Sequence, residues 1–128
     1  MALTTTSTTN PVKTIIIQET ASTSANGVGV NNVAGGPAYL HSIEIDNSSY
    51  NTDIYVKLYD LASAVAGTDN AEVILLVKNN VKRSFQFFPG LQFSNAVTLV
   101  TTITAGQAGT NPPTPLPNVR MVLSESAS

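Results

Sequence analysis

From residue 39 to residue 46 the chain reads YLHSIEID, with Tyr39, His41, Ile43 and Ile45 on one parity and Ser42, Glu44 and Asp46 on the other. Alternation with period two marks a strand that buries one face and shows the other to water. Leu40 is the one residue out of step. The same rhythm returns at residues 54–59, where Ile54, Val56 and Leu58 alternate with Tyr55, Lys57 and Tyr59. Between the two strands lies DNSSYN, a cluster of turn residues.

Further strands follow from β-branched and aliphatic runs bounded by polar clusters. These are residues 13–19 (KTIIIQE), 72–78, 81–88, 97–103 and 119–124, with a shorter one within residues 28–33. Asn79-Asn80 joins two of them, and paired Asn residues tolerate the positive φ of a tight hairpin turn, so a β-hairpin is expected there. LASAVAG, residues 61–67, has the length of a single helical turn stopped by Gly67. Pro89-Gly90 interrupts the aromatic run FQFFPGLQF, because Pro has no N–H to donate and Gly is free to turn. The bend belongs at a sheet edge or at a corner between sheets. Across it Phe85, Phe87, Leu91 and Phe93 share a face, and with Ile43, Ile45, Ile54, Val56 and Leu58 they form the expected core.

Many short strands without a long helix predict an all-β chain folded as an antiparallel β-sandwich, with the jelly roll as one of its forms. Residues 1–12 are rich in Thr, Ser and Asn and cannot build a core, so they read as an extended N-terminal arm ordered by a partner. Residues 13–128 form a single sandwich domain, in keeping with a length of 128 residues.

Composition changes this picture in one respect. Charged residues make up 11%, under half the usual share of about 25%. Thr, Ser and Asn must therefore finish the surface, which can be covered by neighbours without stranding many ions. Eight acids against six bases leave no basic stripe, so no direct contact with nucleic acid is expected. With no cysteine, disulfides, thiolate metal sites and Cys nucleophiles are excluded. MALTTTSTTN lacks the basic and apolar regions of a signal peptide, and the apolar runs fall far short of a membrane-spanning helix, so no membrane partner is expected.

Little remains for chemistry. His41 is the one histidine, it shares a parity with Ile43 and Ile45, and it reads as structural. Glu44 and Asp46 are two apart on a strand and could pair for acid–base work or as a weak Ca²⁺ site, but an outward face does not raise a carboxyl toward neutral pH, and a solvated face is the simpler reading. Asp69-Asn70 with Asp60 reads as turn chemistry. GVGVNNVAGG lacks the helix that a phosphate-binding glycine loop requires. No catalytic residue, metal ligand or cofactor is expected. Tyr50, Tyr55 and Tyr59 are the candidates for recognition, as a sugar-binding row or a subunit contact, with edge packing an equal alternative. Ala2, Leu3 and Pro11 of the arm join them as a candidate interaction surface.

YLHSIEIDNSSYNTDIYVKLYD, a GT turn and FQFFPGLQFSNAVTLVTTIT together resemble a module of small virion structural proteins of tailed bacteriophages, cyanophages included. The similarity runs over residues 39–104, and its motifs specify a fold rather than an activity. Where that family often has a Gly soon after the corner Ser, this chain has Asn95-Ala96. The resemblance implies a capsid decoration, or cement, protein that is not an enzyme, located in the virion after assembly in the host cytoplasm. Its implied partners are the major capsid protein and itself, as a homotrimer. A tail, neck or fibre component and a carbohydrate-binding module are the alternatives.

Overall fold

The computed structural model describes residues 2–7, 12–18, 28–30, 32–49, 51–65, 67–107 and 118–124. Nine strands lie among them: β1 (Ala2–Ser7), β2 (Val12–Gln18), β3 (Val28–Val30), β4 (Ala38–Asp46), β5 (Ile54–Tyr59), β6 (Val73–Val77), β7 (Lys82–Phe93), β8 (Thr98–Thr102) and β9 (Asn118–Ser124). The chain is all-β. One sheet has the order β1-β2-β9-β4-β7 and the other β3-β8-β5-β6, with every pairing antiparallel.

This order has a simple generator. β5 pairs with β6, β4 with β7, β3 with β8 and β2 with β9, so β2 to β9 form one long hairpin with its tip between β5 and β6. Coiling that hairpin brings β4 beside β9 and β5 beside β8. The result is an eight-stranded antiparallel jelly-roll sandwich. β1 adds a further strand at the edge of the larger sheet, with Ala2 opposite Gln18 and Ser7 opposite Lys13. Residues 2–7 of the polar arm therefore pair with a strand of their own chain. Strand pairing draws on backbone N–H and C=O groups, which a Thr-rich segment supplies as well as any.

Between the sheets lies one core. Leu40, Ile43, Ile45 and Phe93 enter it from the larger sheet and Ile54, Val56, Leu58 and Leu99 from the smaller, all fully buried. Phe85, Phe87 and Leu91 are only partly buried and pack against its rim, because β7 is the last strand of its sheet. A second, smaller cluster sits on the other face of the smaller sheet, where Leu61, Ala64 and Ala71 of the β5–β6 loop cover Tyr59 and Val100. That loop is an irregular set of bends, not the helical turn suggested by LASAVAG. Asp69 caps it by accepting from the Val65 amide at 2.8 Å. Gln107 then holds it like a strand, accepting from the Ala71 amide at 2.7 Å and donating to the Ala71 carbonyl at 3.1 Å.

The expected Asn79-Asn80 hairpin does not form. Asn80 does take the left-handed conformation, at φ 59°. The turn, however, sends the chain from β6 in one sheet to β7 in the other, where β7 finds β4 as its partner. Asp53 secures the turn by accepting from the Asn79 amide at 2.9 Å and from the Asn79 side chain at 3.0 Å. These bonds, with Lys78 beside them, hold its carboxyl below the usual range. Asn47, buried at the same end, donates to the carbonyls of Thr52 and Lys78.

Candidate functional site

The most irregular part of the sandwich is where β4 and β7 pair. Leu40 lies opposite Leu91, and the next pair is Ser42 with Gln86, so residues 87–90 of β7 stand against His41 alone. On the other side of β4, Leu40 and Ser42 lie opposite Leu123 and Val122, which are consecutive, so His41 is an extra residue there too. This bulge explains Leu40. It turns inward with Ala38, the bulge resets the count, and Ile43 and Ile45 remain inward. His41 accordingly does not share their buried face. This corrects the sequence reading, and the physical cause is the one inserted residue, which exchanges the two faces.

His41 is half-buried, and its Nε2 lies 2.5 Å from the Oγ of Ser124 on β9. Its ring also supports the β7 excursion. Gly90 has φ +150°, and a Cβ placed there would lie 3.2 Å from His41 Cε1, so glycine serves both the conformation and the close approach. The Phe88-Pro89 peptide of the excursion is cis. Phe88 itself is 100% exposed, whereas its neighbour Phe87 packs on the core rim. The excursion thus presents one bare aromatic ring at the edge of the sandwich.

The outer face of the larger sheet carries an open groove of about 230 Å³ lined by Ser42, Glu44, Ser84, Gln86, Arg120 and Val122. Glu44 also meets Lys82 at 3.5 Å. Asp46 is committed to its own turn, accepting from the Ser48 hydroxyl at 2.5 Å and amide at 3.0 Å, and the hydroxyl bond before the amide holds its carboxyl below the ordinary value. Asp60 is likewise structural, accepting from the amides of Asn95 and Ala96 at 2.7 and 3.2 Å and so pinning the start of β8 to the end of β5. Among the described residues no three of the His, Asp and Glu side chains converge as metal ligands would.

The two described members of the tyrosine row do not form an open platform. Tyr59 is fully buried and Tyr55 half-buried, and Lys57 between them is buried as well, because part of the outer face of the smaller sheet is covered. Burial pushes the Tyr59 phenol up, with Asp69 adding to the effect, and burial pushes the Lys57 ammonium down. Tyr50 and Pro11 lie outside the described residues, and Ala2 and Leu3 fall in β1. Sequence reasoning missed Phe88. The signal was present in Phe87-Phe88, since two adjacent aromatics in a strand cannot share a face.

Fold and surface together define a class: an antiparallel jelly-roll sandwich, poor in charge, whose most exposed apolar group among the described residues stands on an edge strand. Comparison with protein-family models, curated proteins and solved structures found no match to this chain.

Proposed function

We propose that this chain is a virion structural protein of the decoration, or cement, type, which binds the outer surface of an assembled capsid, braces neighbouring coat subunits and acts as a homotrimer without enzymatic activity. Jelly-roll order is common to capsid, lectin and cupin domains, so the choice among these rests on the side chains. A cupin-like metal centre would need a set of histidines, and the sequence has one. A lectin-like aromatic platform on the tyrosine row is not favoured, because Tyr59 is buried. The observation that carries the proposal is the charge-poor sandwich with Phe88 wholly exposed on its bulged edge. A neighbour can cover such a surface at little desolvation cost, and one aromatic anchor is enough to organise a contact.

A shell lattice offers several contacts at once, which act at high effective concentration, and a ligand that binds only the intact lattice stabilises it by mass action. The test compares full, stripped and re-decorated particles by melting and genome release. Stripped particles are expected to rupture at lower temperature and re-decoration to restore them. Identical release curves, or the protein residing only in the tail, overturn the proposal.

A further inference from the structure

We propose that the free edge of β7 is a strand-accepting surface for an extended acidic segment of another protein, anchored by the Phe88 ring. Among the described residues β7 ends the order of its sheet, so over residues 82–86 one side pairs with β4 and the backbone groups of the other side have no strand partner. Lys82, Arg83, Ser84 and Gln86 are exposed along this stretch. An incoming chain that adds a strand gains main-chain hydrogen bonds from the edge and selectivity from the side chains beside it.

The charge around this edge states the chemistry of the occupant. Lys82 and Arg83 stand on this stretch and Lys78 in the turn before it. The carboxylates of Asp53, Glu44 and Asp46 stand beside Lys78 and Lys82, which leaves Arg83 as the cation that sets the preference. Lys78 is paired with Asp53 at 3.3 Å and Lys82 with Glu44 at 3.5 Å. The Arg83 guanidinium lies 4.7 Å from the centre of the Phe85 ring and donates to the Leu76 carbonyl at 3.2 Å, and among the described residues it has no carboxylate partner. That arrangement holds a planar cation at the edge with donors to spare for an incoming acid. Leu76, Val81 and Phe88 add exposed apolar groups to the same edge region.

A second copy of this chain is a poorer occupant. Pairing β7 with itself about a two-fold axis would bring both sets of cations together, and Lys, Pro and bulges are the devices by which edge strands avoid self-pairing. Those devices account for Lys82, Pro89 and the excursion. They do not account for a fully exposed Phe88.

The probe is a capped octapeptide of alternating Glu and Val, compared with its Lys counterpart and with a version N-methylated at alternate residues, added to the full-length ¹⁵N-labelled protein. The Glu peptide is expected to bind saturably, to slow amide exchange within residues 82–86, and to bind more weakly as salt is raised. Arg83→Glu and Phe88→Ala, both surface changes, are each expected to weaken it about tenfold with an unchanged circular dichroism spectrum. The inference is overturned by absence of binding at millimolar peptide, by equal binding of the Lys or N-methylated peptide, or by protection elsewhere in the chain. A concentration-dependent dimer that protects β7 without peptide also overturns it, giving the edge to a second copy. None of these outcomes depends on whether the partner is a capsid shell, which the particle assay decides separately.

Discussion

Deleting His41 should be tolerated, and deleting Glu44, three residues along the same strand, should not. Without His41 the strand reads Ala38, Leu40, Ile43 and Ile45 inward in strict alternation, and the pairing of β4 with β9 becomes regular, because Leu123 and Val122 are already consecutive partners. What is lost is the hydrogen bond to Ser124, about 0.5 to 1.5 kcal/mol, and the ring beneath Gly90. A total of about 1 to 2 kcal/mol lowers the melting temperature of a domain this size by roughly 4 to 10 °C. Deleting Glu44 instead turns Ile45 outward, which loses about 1.5 to 3 kcal/mol of burial. It also points Asp46 toward the core, which adds a few kcal/mol, and disturbs the bonds of Asn47, at about 1 kcal/mol each. The sum approaches the whole stability of a small domain, about 5 to 15 kcal/mol. Urea unfolding followed by circular dichroism, with the m-value as a check on compactness, separates the two cases. If both deletions unfold the chain, or if the His41 deletion is the worse, the bulge does not set the register of β4.

Two further comparisons test the core and the covered face. Phe93→Ala should cost about 3 to 5 kcal/mol, since the ring is fully buried, and Phe88→Ala should stay within about 0.5 kcal/mol of the parent in the same urea titration. Tyr59→Phe removes a buried hydroxyl that has no hydrogen-bond partner among the described residues, so it should leave stability unchanged or raise it by up to about 1 kcal/mol. Because burial raises the Tyr59 phenol above its ordinary 10.0, the unfolded chain loses that proton first and the parent loses stability as pH rises beyond that value. The advantage of the Phe variant should therefore grow above pH 10, and an advantage that shrinks there would contradict the burial.

What was legible in the sequence follows from what each signal measures. Alternation reports the two faces of a strand, and it places Ile43, Ile45, Ile54, Val56 and Leu58 in the core without any knowledge of the partners. It does not report whether the second face is covered. Lys57 and Tyr59 have the parity of an outward face, and both are buried, in part by a loop that returns over the sheet. Local turn chemistry has a similar limit. Asn79-Asn80 reverses the chain equally well within one sheet or between two, and the partner of β7 was decided by β4, some forty residues earlier in the chain.

The candidate site was harder to read because it arises from two departures from regularity that meet. One residue too many in β4 and several too many in β7 fall opposite each other, the first an ordinary bulge and the second a longer excursion. Together they place His41 under Gly90 and push Phe88 out to solvent, so the ring that cannot join the core becomes the most exposed apolar group on the edge. The sequence marks both departures, Leu40 by being out of step and Phe87-Phe88 by adjacency, but only strand pairing brings them together. The one-residue bulge of β4 is accommodated inside the sheet, but the longer excursion belongs on an edge strand, since it disturbs one partner there and would disturb two elsewhere.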